Sequence, residues 1–456
     1  MSNILFFVVH QVGSLNASLQ LAADLKSRGH KVVYAGLADS AELIRNNGFE
    51  FHSLFENFFP RHAFKNLDYY DFSKWWWLNS LISARRRHTL LVRFVDYLLA
   101  GGDEEFLGLM KALRIDFVVF GGVPHVEWLA LMARSLGVGA IYLRAAFSVP
   151  EGVGSPPASS GLVPTREGSL WQSFRALIAW KRHNLSREWN SKKIATLTKK
   201  IAGKYAIGDY RMDSPYKKDF SVSLPEMIPF HPSFEFDRID VPDRHYIGAS
   251  VWLERREVDF PWESIADDRP LIYCALGTYL WHAKSDYDRF FREVSRVAKE
   301  MPGWRWVVVK GGAVEAGDGE SASENVIVVN EAPQLALLKR ASVMITHGGA
   351  NTVKECILFG VPMVIFPMAG DHHGVAARAV YHGLATRGDF KHITADELKL
   401  KIATVTTSPY IRGQLRLMQE RFAEMEAAKV GVKLVESLVR SRNNAHSETA
   451  QVRVDN

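Results

Sequence analysis

The run THGGANTVKECILFGVPMVIFPMAGDHHGVAARAVYHGLA, residues 346–385, decides the architecture. The apolar residues before it and Thr346–His347 read as the end of a buried strand. Two glycines turn the chain, and a helix is expected from near Asn351–Thr352 through TVKECILFG. PMVIFP is a second buried strand ending at Pro367, and HGVAARAVYHG is the next helix. Such an alternation builds a parallel sheet with helices packed on it. Unpaired amides at a helix start attract phosphate oxygens, and glycines let those oxygens approach the backbone. His347 can add a hydrogen bond there, and Glu355, one turn into the helix, is placed for a ribose hydroxyl. Asp371 and His372, on the loop after the second strand, form a pair suited to the hydroxyls of a sugar.

The same rhythm extends in both directions. PLIYCALG, WRWVVVKGG, NVIVVN and VMITHGG are expected strands, with DYDRFFREVSRVAKEM and QLALLKRA as helices among them. Nearer the N-terminus, NILFFVV, HKVVYAG, IDFVVFGG and AIYLRAA are strands, and helices are expected in NASLQLAADLKSRG, DSAELIRNNG and HVEWLALMARSLG. Long insertions near residues 55–100 and 150–200 interrupt this pattern. SVPEGVGSPPASSGLVP is expected to be a mobile loop from its Gly, Pro and Ser content. Two doubly wound α/β domains facing across a cleft are therefore expected. Residues 1–245 would form the first, 246–268 the connection and 269–440 the second, with a disordered tail over 441–456.

The chain has 456 residues, 47% hydrophobic and 23% charged, a globular balance too long for one core. No apolar run is long enough to span a bilayer, and the N-terminus lacks an export signal. Cys274 and Cys356 are the only cysteines, which suggests neither a disulfide framework nor a zinc site. The net charge is +6, and the basic residues gather with aromatic ones at residues 58–94 and 170–200. Two amphipathic helices with solvated basic faces, a greasy acceptor cleft, or a surface for anionic lipid all fit this pattern. No nucleic-acid motif accompanies the charge, and neither half carries the Gly-x-Gly-x-x-Gly turn of hydride-transfer folds.

The ordered set over residues 269–390 resembles the donor-binding signature of the UDP-glycosyltransferase superfamily, whose fold is GT-B, two Rossmann-like domains across a cleft. CALGT looks like that family's first strand and turn of the second domain, so Gly277 and Thr278 would approach the diphosphate. NEAPQLALL is similar to its nucleobase loop, so Ala332 and Gln334 would meet the base. His347, Gly349, Asn351, Thr352 and Glu355 match the diphosphate and ribose positions, and Asp371 and His372 match the sugar pair. VAARAVYHGLA is similar to bacterial members acting on lipophilic acceptors. The resemblance implies an inverting hexosyl transfer from a UDP-sugar, or a dTDP-sugar, to a small or lipophilic acceptor such as a secondary metabolite. No metal and no cofactor beyond the nucleotide sugar are expected, since no Asp-x-Asp pair follows a strand.

Three positions depart from the family. Ser14 stands where a His usually deprotonates the acceptor, and a serine hydroxyl lacks the proton affinity for that task. His10, at the end of the first strand, is the candidate base; a strand-end imidazole bonded to backbone, or a base elsewhere, are the alternatives. The strand before EWLALMARSLG ends in Gly121 and Gly122 without the usual Asp, and His125 and Glu127 lie just beyond. Glu331 occupies the place of a stacking Trp. A carboxylate, phosphate or phenol acceptor would need no strong base. Tyr69, Tyr70, Trp75, Trp76 and Trp77 are expected either to hold the acceptor or to pack. A cytoplasmic protein is expected. The alternatives are a lipid- or phosphate-acceptor transferase at the inner membrane surface, or a non-catalytic sugar-nucleotide-binding partner.

Overall fold

The computed structural model describes residues 1–62, 76–122, 127–147, 155–164, 170–208, 224–236, 243–277, 282–311 and 323–441. The first half alternates β1 (Asn3–Val8), α1 (Val12–Ser27), β2 (Lys31–Gly36), α2 (Ala41–Asn46) and β3 (Glu50–Ser53). It continues with α3 (Trp76–Tyr97), α4 (Glu104–Ala112), β4 (Phe117–Gly121), α5 (Glu127–Ser135), β5 (Gly139–Leu143), α6 (Leu170–Lys204), β6 (Glu226–Ile228) and β7 (Arg244–Tyr246). The second half runs β8 (Leu271–Ala275), α7 (Lys284–Glu300), β9 (Arg305–Val309), β10 (Val326–Val329), α8 (Gln334–Leu338) and β11 (Ala341–Thr346). It closes with α9 (Ala350–Phe359), β12 (Met363–Ile365), α10 (His372–Tyr381), β13 (Ala385–Arg387), α11 (Ala395–Thr407) and α12 (Pro409–Ala427).

Both sheets are parallel throughout. The first has the order β3-β2-β1-β4-β5-β6-β7 and the second β10-β9-β8-β11-β12-β13. Helices cover both faces, so the central strands are apolar on both sides: five consecutive residues of β1 and all five of β4 and β8 are buried. Each order reverses direction once, between β1 and β4 and between β8 and β11. Chain segments diverge there, and a crevice opens beyond the carboxyl ends of the strands. His10 and Gly121–Gly122 lie at one such point, Gly277 and His347 at the other.

The two halves are joined by more than the connection near residue 250. Residues 430–441 are helical and return to the first sheet, burying Val432, Val435 and Val439 with Leu15, Leu19 and Ile247. Lys429 reaches Asp24 at 2.9 Å and Arg28 reaches Glu436 at 2.7 Å on the rim of that contact. Phe147, Ile228, Phe230 and Phe234 pack into the cluster built on the second sheet. In the first half, the buried Trp128 of α5 donates its indole N–H to Thr198 of α6 at 3.0 Å, which satisfies the polar end of a large apolar ring.

The segment expected to be a mobile loop is docked where it is described. Over residues 155–164, the Ala158 carbonyl accepts from Gly374 N–H at 2.7 Å and the Gly161 carbonyl from Arg387 at 2.6 Å. Proline, glycine and serine report a local bias against helix and strand, and that bias does not prevent the backbone from bonding to a distant partner.

Candidate functional site

The strand, glycine turn and helix expected over residues 346–359 form, with the helix starting one residue earlier than Asn351. β11 ends at Thr346, Gly348 takes φ +82°, and α9 starts at Ala350 with Gly349 as its cap. No side chain bonds into that cap and no acidic residue occupies the first turn. The first amides of α9 therefore present partial positive charge outward. The His347 ring lies between two glycine backbones. A Cβ on Gly277 (φ +89°) would come within 2.8 Å of its Cε1, and a Cβ on Gly349 within 2.6 Å of its Nε2. Any larger residue at either position would displace the ring.

His347 Nδ1 is buried and has no hydrogen-bond partner among the described residues, and the same holds for Asn351 Oδ1. Buried polar atoms normally find partners, so this pair marks a place where a ligand would complete the bonding. Burial pushes His347 down to about 4, so the ring is neutral at pH 7 and acts as a hydrogen-bonding group without charge. Its neighbour His372 packs edge-on at a centroid separation of 4.5 Å. Burial, with His347 and His373 close by, pushes His372 down to about 2. His372 is the first residue of α10 and Asp371 its cap, so the sugar pair sits on a helix start, one step beyond the expected loop. Burial raises Asp371 to about 6 despite a 2.7 Å bond from the Phe147 amide. That bond crosses from the first half of the chain.

Glu355, Gln334 and Thr352 come together as expected: Gln334 Nε2 donates to Glu355 Oε2 and lies 3.5 Å from Thr352 Oγ1. A fourth residue joins them, one that sequence reasoning had no cause to single out. Arg255, from the connecting segment, donates Nη1 to Glu355 Oε1 at 2.6 Å, and its Nη2 stands 3.7 Å from Glu257. Burial opposes the charge on Arg255, but Glu355 and Glu257 outweigh it and hold the guanidinium above its ordinary pKa. Glu257 in turn accepts from the Leu335 and Ala336 amides at 2.8 and 3.0 Å. The connection thus grips both the carboxylate and the loop bearing Ala332 and Gln334.

Across the cleft, α1 starts after Gln11 with neither a side-chain cap bond nor a first-turn acid. Asn351 Nδ2 donates to the Gly13 carbonyl at 2.5 Å, so the starts of α1 and α9 are adjacent. Ser14, on this turn, is buried and bonded to Gln11 at 3.3 Å. His10 is half-buried at the end of β1, and its Nδ1 lies 3.2 Å from Ser40 Oγ. Thr278, His125, Tyr69, Tyr70 and Trp75 lie outside the described residues, as do the side chains of Trp76, Trp77 and Glu127. Cys274 and Cys356 are buried and unpaired.

A family model described as UDP-glucoronosyl and UDP-glucosyl transferase matches residues 317–421. Oleandomycin glycosyltransferase of Streptomyces antibioticus is 28% identical over 207 residues, 45% of this chain. This chain spans about half the length of that relative, 47%. Zeaxanthin glucosyltransferase of Pantoea ananas is 24% identical over 430 residues, 91% of this chain and 89% of its own. Among solved structures, CalG4, the calicheamicin glycosyltransferase, superposes with a TM-score of 0.68 at 19% identity, covering 96% of this chain and 98% of that one. At that identity the likeness is one of fold, two Rossmann-like halves in the GT-B arrangement.

Proposed function

We propose that this chain, which belongs to the UDP-glycosyltransferase superfamily, moves a hexose from a UDP- or dTDP-sugar onto a small or lipophilic acceptor with inversion at the sugar carbon. The observation that carries this reading is the uncapped start of α9 beside a neutral, ligand-ready His347 ring. Residues 1–245 would bind the acceptor and 269–440 the donor. The α9 amides and His347 would take the diphosphate, Gln334, Thr352 and Glu355 the nucleoside, and Asp371 and His372 the sugar hydroxyls. Charge that develops on the leaving diphosphate is met by fixed dipoles, so transfer is taken to be metal-independent. Calorimetry with UDP and dTDP tests the donor site: His347→Ala should cost at least about tenfold in affinity. Unchanged affinity would overturn it. Loss of turnover in a chelator, restored by Mg²⁺ or Mn²⁺, would overturn the metal-independent mechanism.

A single displacement by the acceptor oxygen, opposite the diphosphate, requires that oxygen to lose a proton. His10 is the proposed base, and His10→Ala should then slow turnover with alcohol acceptors by about 10²–10⁴. Unchanged turnover would remove the assignment. Ser14 and the uncapped start of α1 favour a second reading, in which the acceptor arrives already anionic and the α1 amides receive it. That reading requires rates that rise steeply from alcohols to phenols and carboxylates; a flat series would exclude it.

A further inference from the structure

One face of the first half concentrates positive charge. Helix α6 carries nine Lys and Arg against a single Glu, and α3, which packs along it, carries four Arg against one Asp. Together the two helices hold a net charge of +11 in a chain whose total is +6, so the remainder is net −5. Eighteen residues, five full helical turns, separate Lys181 from Lys199 and Arg182 from Lys200. These four share the face opposite the buried Leu197 and Ile201, and all four are exposed. The strip they define is about 27 Å long. Arg85 and Arg86 of α3 and Arg175 of α6 are also exposed. None of these seven side chains is held in an ion pair among the described residues.

At the N-terminal end of this strip, Leu177 is 64% exposed and Ile178 43%, one turn before Lys181 and Arg182. This apolar end is also the end nearest the cleft. Trp180 donates its indole N–H to the Ser155 carbonyl at 2.8 Å and His183 lies 2.9 Å from Ser159 Oγ. Between those two residues, Ala158 accepts from Gly374 of α10, two residues past His372. The exposed Leu and Ile therefore stand beside the strap that crosses to the proposed sugar pair.

We propose that this face of α6 and α3 docks on an anionic lipid bilayer, with Leu177 and Ile178 entering the headgroup boundary and the Lys and Arg strip lying on the lipid phosphates. A basic strip alone would suit any polyanion. Large apolar side chains exposed within the same helical face, beside the cleft mouth, favour a surface with an apolar layer under its charges. Docking in this orientation turns the cleft toward the bilayer, so a lipophilic acceptor passes from lipid to the site without crossing water. The inference stands apart from the donor-site reading.

Co-sedimentation of the full chain with phosphatidylcholine vesicles, with and without phosphatidylglycerol, tests it. Binding is expected only where phosphatidylglycerol is present, with release at high salt as screening weakens the attraction. Replacing Lys181, Arg182, Lys199 and Lys200 by Glu should lower partitioning by about a hundredfold or more, and Leu177→Asp with Ile178→Asp should also weaken it. Circular dichroism and thermal unfolding of both variants should match the parent, which shows that they fold. Absence of pelleting, equal pelleting on both vesicles, or parental pelleting by the charge-reversed variant would overturn the proposal. Binding to an acidic protein or a nucleic acid in place of vesicles would overturn it as well.

Discussion

Replacing Arg255 by Ala separates the claim that the connecting segment builds the nucleoside pocket from the claim that it merely crosses it. The Arg255 and Glu355 side chains are 9% and 1% exposed, and their charged atoms meet at 2.6 Å. At an effective dielectric near 20, unit charges about 4 Å apart attract by about 4 kcal/mol. Removing one partner forfeits that attraction and leaves a buried carboxylate with Gln334 as its remaining hydrogen-bond donor among the described residues. Broken buried pairs of this kind cost about 3–5 kcal/mol. Arg255→Ala should therefore lose about that much in urea unfolding, and UDP affinity should fall while inorganic pyrophosphate affinity holds. Combining Arg255→Ala with Glu355→Gln removes the stranded charge, so the double variant should recover about half or more of the stability. The reasoning fails if Arg255→Ala stays within about 0.5 kcal/mol of the parent, or if the two substitutions add without coupling.

Three further substitutions probe the site. Gly349→Ala should lower UDP affinity by about tenfold or more in calorimetry with little change in thermal unfolding, because φ −60° and ψ 139° suit alanine while its Cβ collides with His347. Asp371, raised to about 6 by burial, binds its proton more tightly folded than unfolded. It therefore favours folding at acid pH, and that contribution fades as pH rises from about 4 to about 6; Asp371→Asn should flatten this part of a Tm-against-pH curve. Lys354 is fully buried, its ammonium has no hydrogen-bond partner among the described residues, and burial lowers it to about 8. Lys354→Met should raise stability by at least about 1 kcal/mol at pH 7, and the gain should vanish as pH rises past about 10, where lysine is neutral in both states.

What could be read from the sequence was what lies close together along it. The strands at the centre of each sheet are buried on both faces, so NILFFVV and IDFVVFGG announce themselves as continuous apolar runs. The turn at Gly348–Gly349 was legible because turn, cap and helix occupy consecutive residues. β6 and β7, three residues each at the edge of the first sheet, carry no such signal. The pair of Arg255 with Glu355 joins residues a hundred apart, and LERREVD reads as an ordinary charged connection until its folded neighbours are known. The same holds for Phe147 with Asp371 and for the strap over α10. In these last two a backbone group supplies at least one end of the bond, and that end leaves no mark in the sequence.

These unread contacts share a location. Arg255 and Glu257 hold Glu355 and the start of α8 from the connecting segment, Phe147 and Ala158 hold the start of α10 from the first half, and Gly13 meets Asn351 at the start of α9. Every patch of the proposed donor site is thus touched by chain from outside residues 269–440. A site built this way depends on how the halves are seated, since moving the first half would release Asp371 and Asn351 and leave Glu355 with Arg255. The oxygen of Asp371 that now accepts the Phe147 amide is an acceptor a sugar hydroxyl would want. Sugar binding and the seating of the first half therefore compete for, or share, the same carboxylate. On the proposed reading of Asp371, either case couples the two halves through the donor.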